Sequence, residues 1–191
     1  MPRILIVIVI ALPILLWTPV RAANLIEQAP FWENRGLVGA NIGFIGKGIL
    51  HLSANSFNTD PGFTFGVKFD VRMRHDWFLG LSVDVHRIHV LDTGQYFLDA
   101  SLNFKRMIFN ENSQVGIRPG LGFGFGHLTH FLTYESTRYL TCRLTLEIIF
   151  FSEGNSAPFI EVGLFGAPIG SNSTLSAHFN PILLGRIGIL L

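Results

Sequence analysis

Residues 63–74, FTFGVKFDVRMR, alternate without a break. Phe63, Phe65, Val67, Phe69, Val71 and Met73 share one parity; Thr64, Gly66, Lys68, Asp70, Arg72 and Arg74 share the other. A period of two sends the two sets to opposite faces of a β-strand, whereas a helix would scatter the phenylalanines around its circumference. The pattern recurs at 36–46, 77–87, 96–106, 115–126, 140–150, 159–166 and 182–191, which predicts eight strands. The fifth holds GLGFGFGH, with glycine at alternate positions and bulky apolar residues between. Pro119 in the same strand removes a ladder donor, which predicts a local bulge. Strands 2–3, 4–5 and 6–7 are joined by the short HD, NENS and SEGNSA. The other connections are longer: KGILHLSANSFNTDP, IHVLDTGQ, LTHFLTYESTR and PIGSNSTLSAHFNP. Short turns at one end and long segments at the other describe an up-and-down meander whose two ends meet different surroundings.

Alternation alone does not say which face is outside. Volume does. An eight-stranded barrel has an interior only wide enough for side chains to fill. The apolar set, rich in Phe, Leu and Ile, is too bulky for it; the polar set, rich in Gly, Ser and Thr, fits. Composition agrees: 49 % of residues are hydrophobic and 14 % charged, where about 25 % charged is usual for soluble domains. A closed barrel is also the only β structure whose backbone is satisfied in hydrocarbon. The expected fold is therefore all-β: an eight-stranded antiparallel up-and-down transmembrane β-barrel. Trp77, Tyr96, Phe104, Tyr139 and Phe150 fall near strand ends, as interfacial girdles do. The inverse assignment, apolar inside and polar outside, is a soluble lipocalin-like binder.

The N-terminus adds a targeting signal. MPR supplies a positive charge, ILIVIVIALPILLW an apolar core, and VRA the small residues before a cleavage site. Residues 1–22 read as a signal peptide, 23–34 as a short periplasmic lead and 35–191 as the barrel. Taken together, the strand alternation, the turn–loop rhythm, the signal peptide and the final strand LLGRIGILL resemble the small eight-stranded outer-membrane barrels of the OmpA/OmpX/OmpW type. The resemblance implies the outer membrane of a Gram-negative bacterium, lipid and lipopolysaccharide as surroundings, the barrel-assembly machinery as a partner in biogenesis, and a structural or surface-interaction role for the loops. Such barrels commonly end in an aromatic residue, whereas this chain ends in Leu191.

Candidate chemistry is sparse. Lys68, Asp70, Arg72, Arg74, Asp84, Asp99, Lys105, Arg118, Arg143, Glu147, Glu161 and Arg186 all lie on the polar parity. An isolated buried charge is costly, so near balance in a tight lumen predicts mutual pairing. A narrow channel for small solutes is the alternative use of these residues. His86, His89, His127 and His130 gather near the long-loop end and are conceivable metal ligands. GHLTHFLTYES, 126–136, is loosely similar to the catalytic strand of lipid A deacylases. There His127 or His130 would be the base, Ser136 the nucleophile and Glu135 the orienting acid. No cofactor is expected, because neither a phosphate loop nor a dinucleotide fingerprint is present. The net charge of +1 gives no basic field, so nucleic acid is not a partner. The lone Cys142 excludes an intramolecular disulfide and sits on the apolar parity as packing.

Overall fold

A computed structural model describes residues 36–191 apart from 53–54, 75, 92, 110–114, 130–135, 152–155 and 172–175. The expected signal peptide and lead lie outside the described residues. The strands in chain order are β1 (Gly36–Ile45), β2 (Gly48–Leu52), β3 (Asn55–Arg74), β4 (Trp77–Val90), β5 (Thr93–Arg106), β6 (Ile108–Phe109), β7 (Val115–Leu128), β8 (Thr137–Phe150), β9 (Ala157–Ser171) and β10 (Ser176–Leu190).

The long strands close a ring. Antiparallel ladders join β1 to β3, β3 to β4, β4 to β5, β5 to β7, β7 to β8, β8 to β9 and β9 to β10. The ladder Gly39↔Leu190 through Ile45↔Leu184 then returns β10 to β1. Beyond it, Val38 and Leu191 exchange backbone hydrogen bonds of 3.0 and 2.7 Å. Eight strands thus satisfy one another with no free edge, the condition for crossing hydrocarbon. The two short strands are continuations: β2 prolongs β1 past Gly46–Lys47 and pairs with β3 and β10, and β6 prolongs β5 past Met107.

Pro119 is not a bulge. It pairs with Leu146 without a register shift. Instead, the ladder between β5 and β7 stops at Lys105↔Gly120 and resumes, in the same register, at Ile108↔Ile117. Met107 N–H turns away to the carbonyl of Asp76 at 2.7 Å. The partner strand yields opposite the missing donor, so no extra residue is needed. Register shifts do fall at other prolines, Pro61 of β3, Pro168 of β9 and Pro181 of β10, and one more falls between Arg72 and Arg74 at the end of β3.

The strands are longer than the alternation predicts. KGILHLSANSFNTDP, expected as a connection, becomes β2 and the first part of β3, which runs 20 residues. IHVLDTGQ similarly extends β4 and β5, with Leu91 in the left-handed region at φ 49°. At ~3.3 Å per residue and a tilt of ~40°, a 14-residue strand rises about 35 Å. That exceeds an apolar band of about 25 Å.

The apolar parity faces outward through the barrel's middle. Phe63, Phe65, Val67, Phe69, Leu81, Leu98, Leu102, Phe123, Leu140 and Ile187 are all exposed, and Phe125 reaches 73 %. A soluble binder would bury these residues, so the lipocalin-like alternative is corrected here. Tyr96, Phe104 and Phe150 face outward as expected of girdle residues, but Tyr139 turns inward and is buried.

Near the long-connection end the pattern inverts. Leu50, Leu52, Ile88, Val90, Leu128, Ala177 and Phe179 point inward and are buried. The intervening Arg87 and Arg138 are exposed on the outer face, with His127 half-buried between them. The barrel is inside-out in the membrane and apolar-in above it, and the row of Arg87, His127 and Arg138 marks the changeover.

Candidate functional site

The lumen is filled in three layers. The middle one carries the charges. Lys68, Lys105, Arg118, Arg143 and Arg186 are buried with Asp70, Asp84, Asp99, Glu147 and Glu161. Alternation aims these side chains inward because the apolar residues beside them take the lipid side.

One half of the network centres on Glu147 of β8. Its carboxylate accepts from Lys68 Nζ and Lys105 Nζ at 2.9 Å each and from Arg118 Nε at 2.7 Å. Asp70 accepts from Lys105 Nζ at 3.1 Å and from Arg118 Nη2 at 2.7 Å. The other half centres on Asp84 of β4, which accepts from Arg143 Nη1 and Arg186 Nη1 at 2.6 Å each. Arg143 also pairs with Asp99, and Arg186 with Glu161. Thr141 Oγ1 donates to Asp99 at 2.5 Å. Ser82 Oγ accepts from Asn103 Nδ2 at 3.0 Å and from Arg143 Nη1 at 3.2 Å. Lys68 joins the halves, its ammonium 3.7 Å from Glu161. Each charge therefore has an opposite partner in a place where an unpaired one is costly.

Two apolar layers close the lumen on either side. Toward the chain ends lie Leu37, Phe78, Met107, Ile149, Phe159 and Leu190. Toward the long connections lie Phe97, Tyr139, Phe165 and Phe179 with their aliphatic neighbours. Phe165 packs edge-on against Phe97 at 5.5 Å, as does Phe179 at 5.7 Å. The layers meet through cation–π contacts: Lys68 Nζ sits 3.3 Å from the Phe159 ring centroid, and the Arg118 guanidinium 5.2 Å from that of Phe78.

The glycines of 120–126 make room for this filling. A Cβ at Gly122 would meet Arg143 Cγ at 2.6 Å, and one at Gly120 would lie 2.9 Å from Thr145 Oγ1. At Gly126 it would strike the Phe97 ring, and at Gly124 the backbone of Ala100 and Ser101.

Two residues expected in the lumen network stand apart from its core. Arg74 is exposed at the end of β3, and Arg72 is half-buried one turn of the pleat below Asp70. Parity placed them on the right face, but they lie at the rim. A further ion pair, Arg106 Nε to Asp76 Oδ2 at 2.6 Å, sits at the same rim. The sequence reading missed it because Arg106 stands at a strand end.

Of the candidate histidines, His86, His89 and His127 do not converge. His86 is buried in the lumen against Phe165 at 4.9 Å, whereas His89 and His127 are on the outer face of different strands. His130 lies outside the described residues. No group of three His, Cys, Asp or Glu suited to a metal occurs among the described residues. The deacylase-like constellation lies only partly within the described residues. His127 is opposite Arg138 in the ladder, and Ser136 is an exposed residue just before β8. Among the described residues no hydrogen bond joins His127 to Ser136, and Glu135 lies outside them.

A closed ring of eight strands, apolar outside and filled within, decides the fold class. This is the fold of the small outer-membrane barrels. The crystal structure of neisserial surface protein A (NspA) superimposes with a TM-score of 0.60 at 11 % identity, covering 81 % of this chain and 96 % of that one. The outer membrane protein OprG from Pseudomonas aeruginosa superimposes with a TM-score of 0.56 at 10 % identity, covering 82 % and 95 %. No protein-family model and no curated protein sequence matches the chain. The likeness is thus one of fold, carried by strand number, closure and alternation.

Proposed function

We propose that this integral outer-membrane barrel has a structural and surface-interaction role, with its long connections extracellular and both barrel termini periplasmic. The filled lumen is the observation that carries this reading. Among the described residues, ten paired charges lie buried between two apolar layers, which favours a role for the outer surface and loops. Residues 1–22 would direct export, and the barrel-assembly machinery would insert the chain. Outer-leaflet lipopolysaccharide is the proposed surrounding partner: Arg87, His127 and Arg138 face outward next above Val85, Phe125 and Leu140 on their own strands. Among the described residues, the outward positions of β4, β5, β7 and β8 carry no carboxylate. Phosphorylated headgroups would meet guanidinium groups there, a pairing that arginine makes bidentately.

Planar-bilayer recording on the folded protein tests the reading. A silent membrane is expected. Reproducible stepwise openings would replace the structural role with the narrow-channel alternative.

A further inference from the structure

Above the membrane, β2 lies between β3 and β10, and it carries one histidine on its outer face. His51 stands directly opposite His178 of β10 and directly opposite Ser56 of β3. The two imidazoles are stacked, with centroids 4.2 Å apart and planes 13° from parallel. We propose that His51 and His178 form a binding site for a single divalent transition-metal ion such as Cu²⁺, Ni²⁺ or Zn²⁺. The inference goes beyond the proposed function and rests only on the strand pairing of the extracellular extension.

The scaffold holds both rings in place. His51 is flanked by Leu50 and Leu52, His178 by Ala177 and Phe179, and all four neighbours are buried in the apolar layer beneath. The alternation that drives those residues inward fixes the imidazoles outward, on paired strands rather than on a loop. Opposed residues in an antiparallel pair have Cβ atoms about 5 Å apart. Two imidazole nitrogens sharing a tetrahedral ion, at about 2.0–2.1 Å each, are separated by about 3.3 Å. In the stacked pose the in-plane lone pairs of the two rings run side by side, so one imidazole, that of the exposed His178, must swing about its side-chain torsions to bring a nitrogen to that separation and onto the ion.

The surroundings supply what a metal-ligating histidine needs. Ser56 Oγ lies 2.8 Å from His51 Nδ1. With Nδ1–H donating to that hydroxyl, the Nε2 lone pair is left for the ion, and the ring is oriented by a second partner. In that tautomer Asn180 Nδ2–H, 3.4 Å away, donates to the Nε2 lone pair, and a bound ion replaces this hydrogen bond, with the exposed amide turning its Oδ1 toward the metal as a third ligand. His178 is exposed and His51 half-buried, which gives the ion a path from outside. Nitrogen-rich sites bind Cu²⁺ most tightly among these ions.

Cu²⁺ titration of the folded full-length protein in detergent micelles, read by electron paramagnetic resonance, tests the site. The wild type is expected to bind one equivalent with hyperfine structure from two imidazole nitrogens. H51Q and H178Q should each lose at least tenfold in affinity and the second nitrogen, and S56A should weaken binding by a smaller factor. H89Q and H127Q, on the outer face elsewhere, should bind as the wild type does. Each variant is first shown to be folded by its heat-dependent gel mobility, so loss of the barrel and loss of the site are separated. Copper binding unchanged in H51Q and H178Q, or a wild type with only single-nitrogen signals, would overturn the proposal.

Discussion

Glu147 accepts from three cations on three strands: Lys68 of β3, Lys105 of β5 and Arg118 of β7. Removing its charge leaves those cations buried with one carboxylate fewer. Breaking a buried pair in this way costs about 3–5 kcal/mol. Glu147→Gln is therefore expected to lower the urea midpoint of barrel unfolding by a corresponding amount, whereas Arg74→Gln, at the exposed rim, should leave it nearly unchanged. Equal midpoints for the two variants would mean the network does not hold the barrel. The glycines give a second contrast. At Gly124 a methyl group meets the backbone of Ala100 and Ser101, which cannot step aside, while at Gly46 its nearest neighbour is 3.4 Å away. Gly124→Ala should hinder assembly of the folded band on gels and Gly46→Ala should not. Much of this scale was legible in the chain. Lys68, Asp70 and Glu147 declare their direction through the apolar residues on either side of them. Their partners did not declare themselves, because parity gives the face of a residue but not its height, and Arg72 and Arg74 share a parity with Asp70 while lying nearer the rim.

At the scale of the element, the inversion of the alternation is the feature with most consequence. In β4 the outward side chains run Leu79, Leu81, Val83, Val85 and then Arg87 and His89, while Ile88 and Val90 turn apolar inward. A period-two pattern that swaps its chemistry midway reads as the end of a strand, so the body of each strand was legible and its extension beyond the apolar band was not. The same inversion hid β2, whose GILHL carries Leu50 and Leu52 inward beneath His51. If β2 is a strand, the amides of Ile49 to Leu52 are shielded by the β3 and β10 ladders. Hydrogen exchange should find them protected well above an open loop; exchange at the rate of an unstructured segment would contradict the extension. Acid adds a further expectation. Because His178 has its pKa lowered in the folded state, the unfolded chain binds the proton more readily. The stability this contributes is complete above the ordinary histidine pKa of about 6.5 and is lost as the pH falls from there toward the lowered folded value. Protection of the β2 amides should weaken over that interval and be restored on return to neutral pH.

The whole molecule combines two solvents' rules in one ring. Within the membrane the large apolar side chains face lipid and the charges face one another. Above it, the same strands behave as a soluble barrel, and the aromatic layer of Phe97, Tyr139, Phe165 and Phe179 is their core. That layer was not foreseen, because a lumen built only from the polar parity has no place for it. Closure, in contrast, was legible: eight alternating strands with short turns at one end leave few other ways to satisfy the backbone. A closed ring in which every long strand is paired on both sides resists detergent until it is heated. The most direct measurement compares the mobility of the protein from an outer-membrane fraction, unheated and boiled, on a denaturing gel. The account predicts a compact, faster band in the unheated sample that moves to the unfolded position on boiling. One band at the unfolded position in both samples, with the protein recovered in the soluble periplasmic fraction, would contradict it.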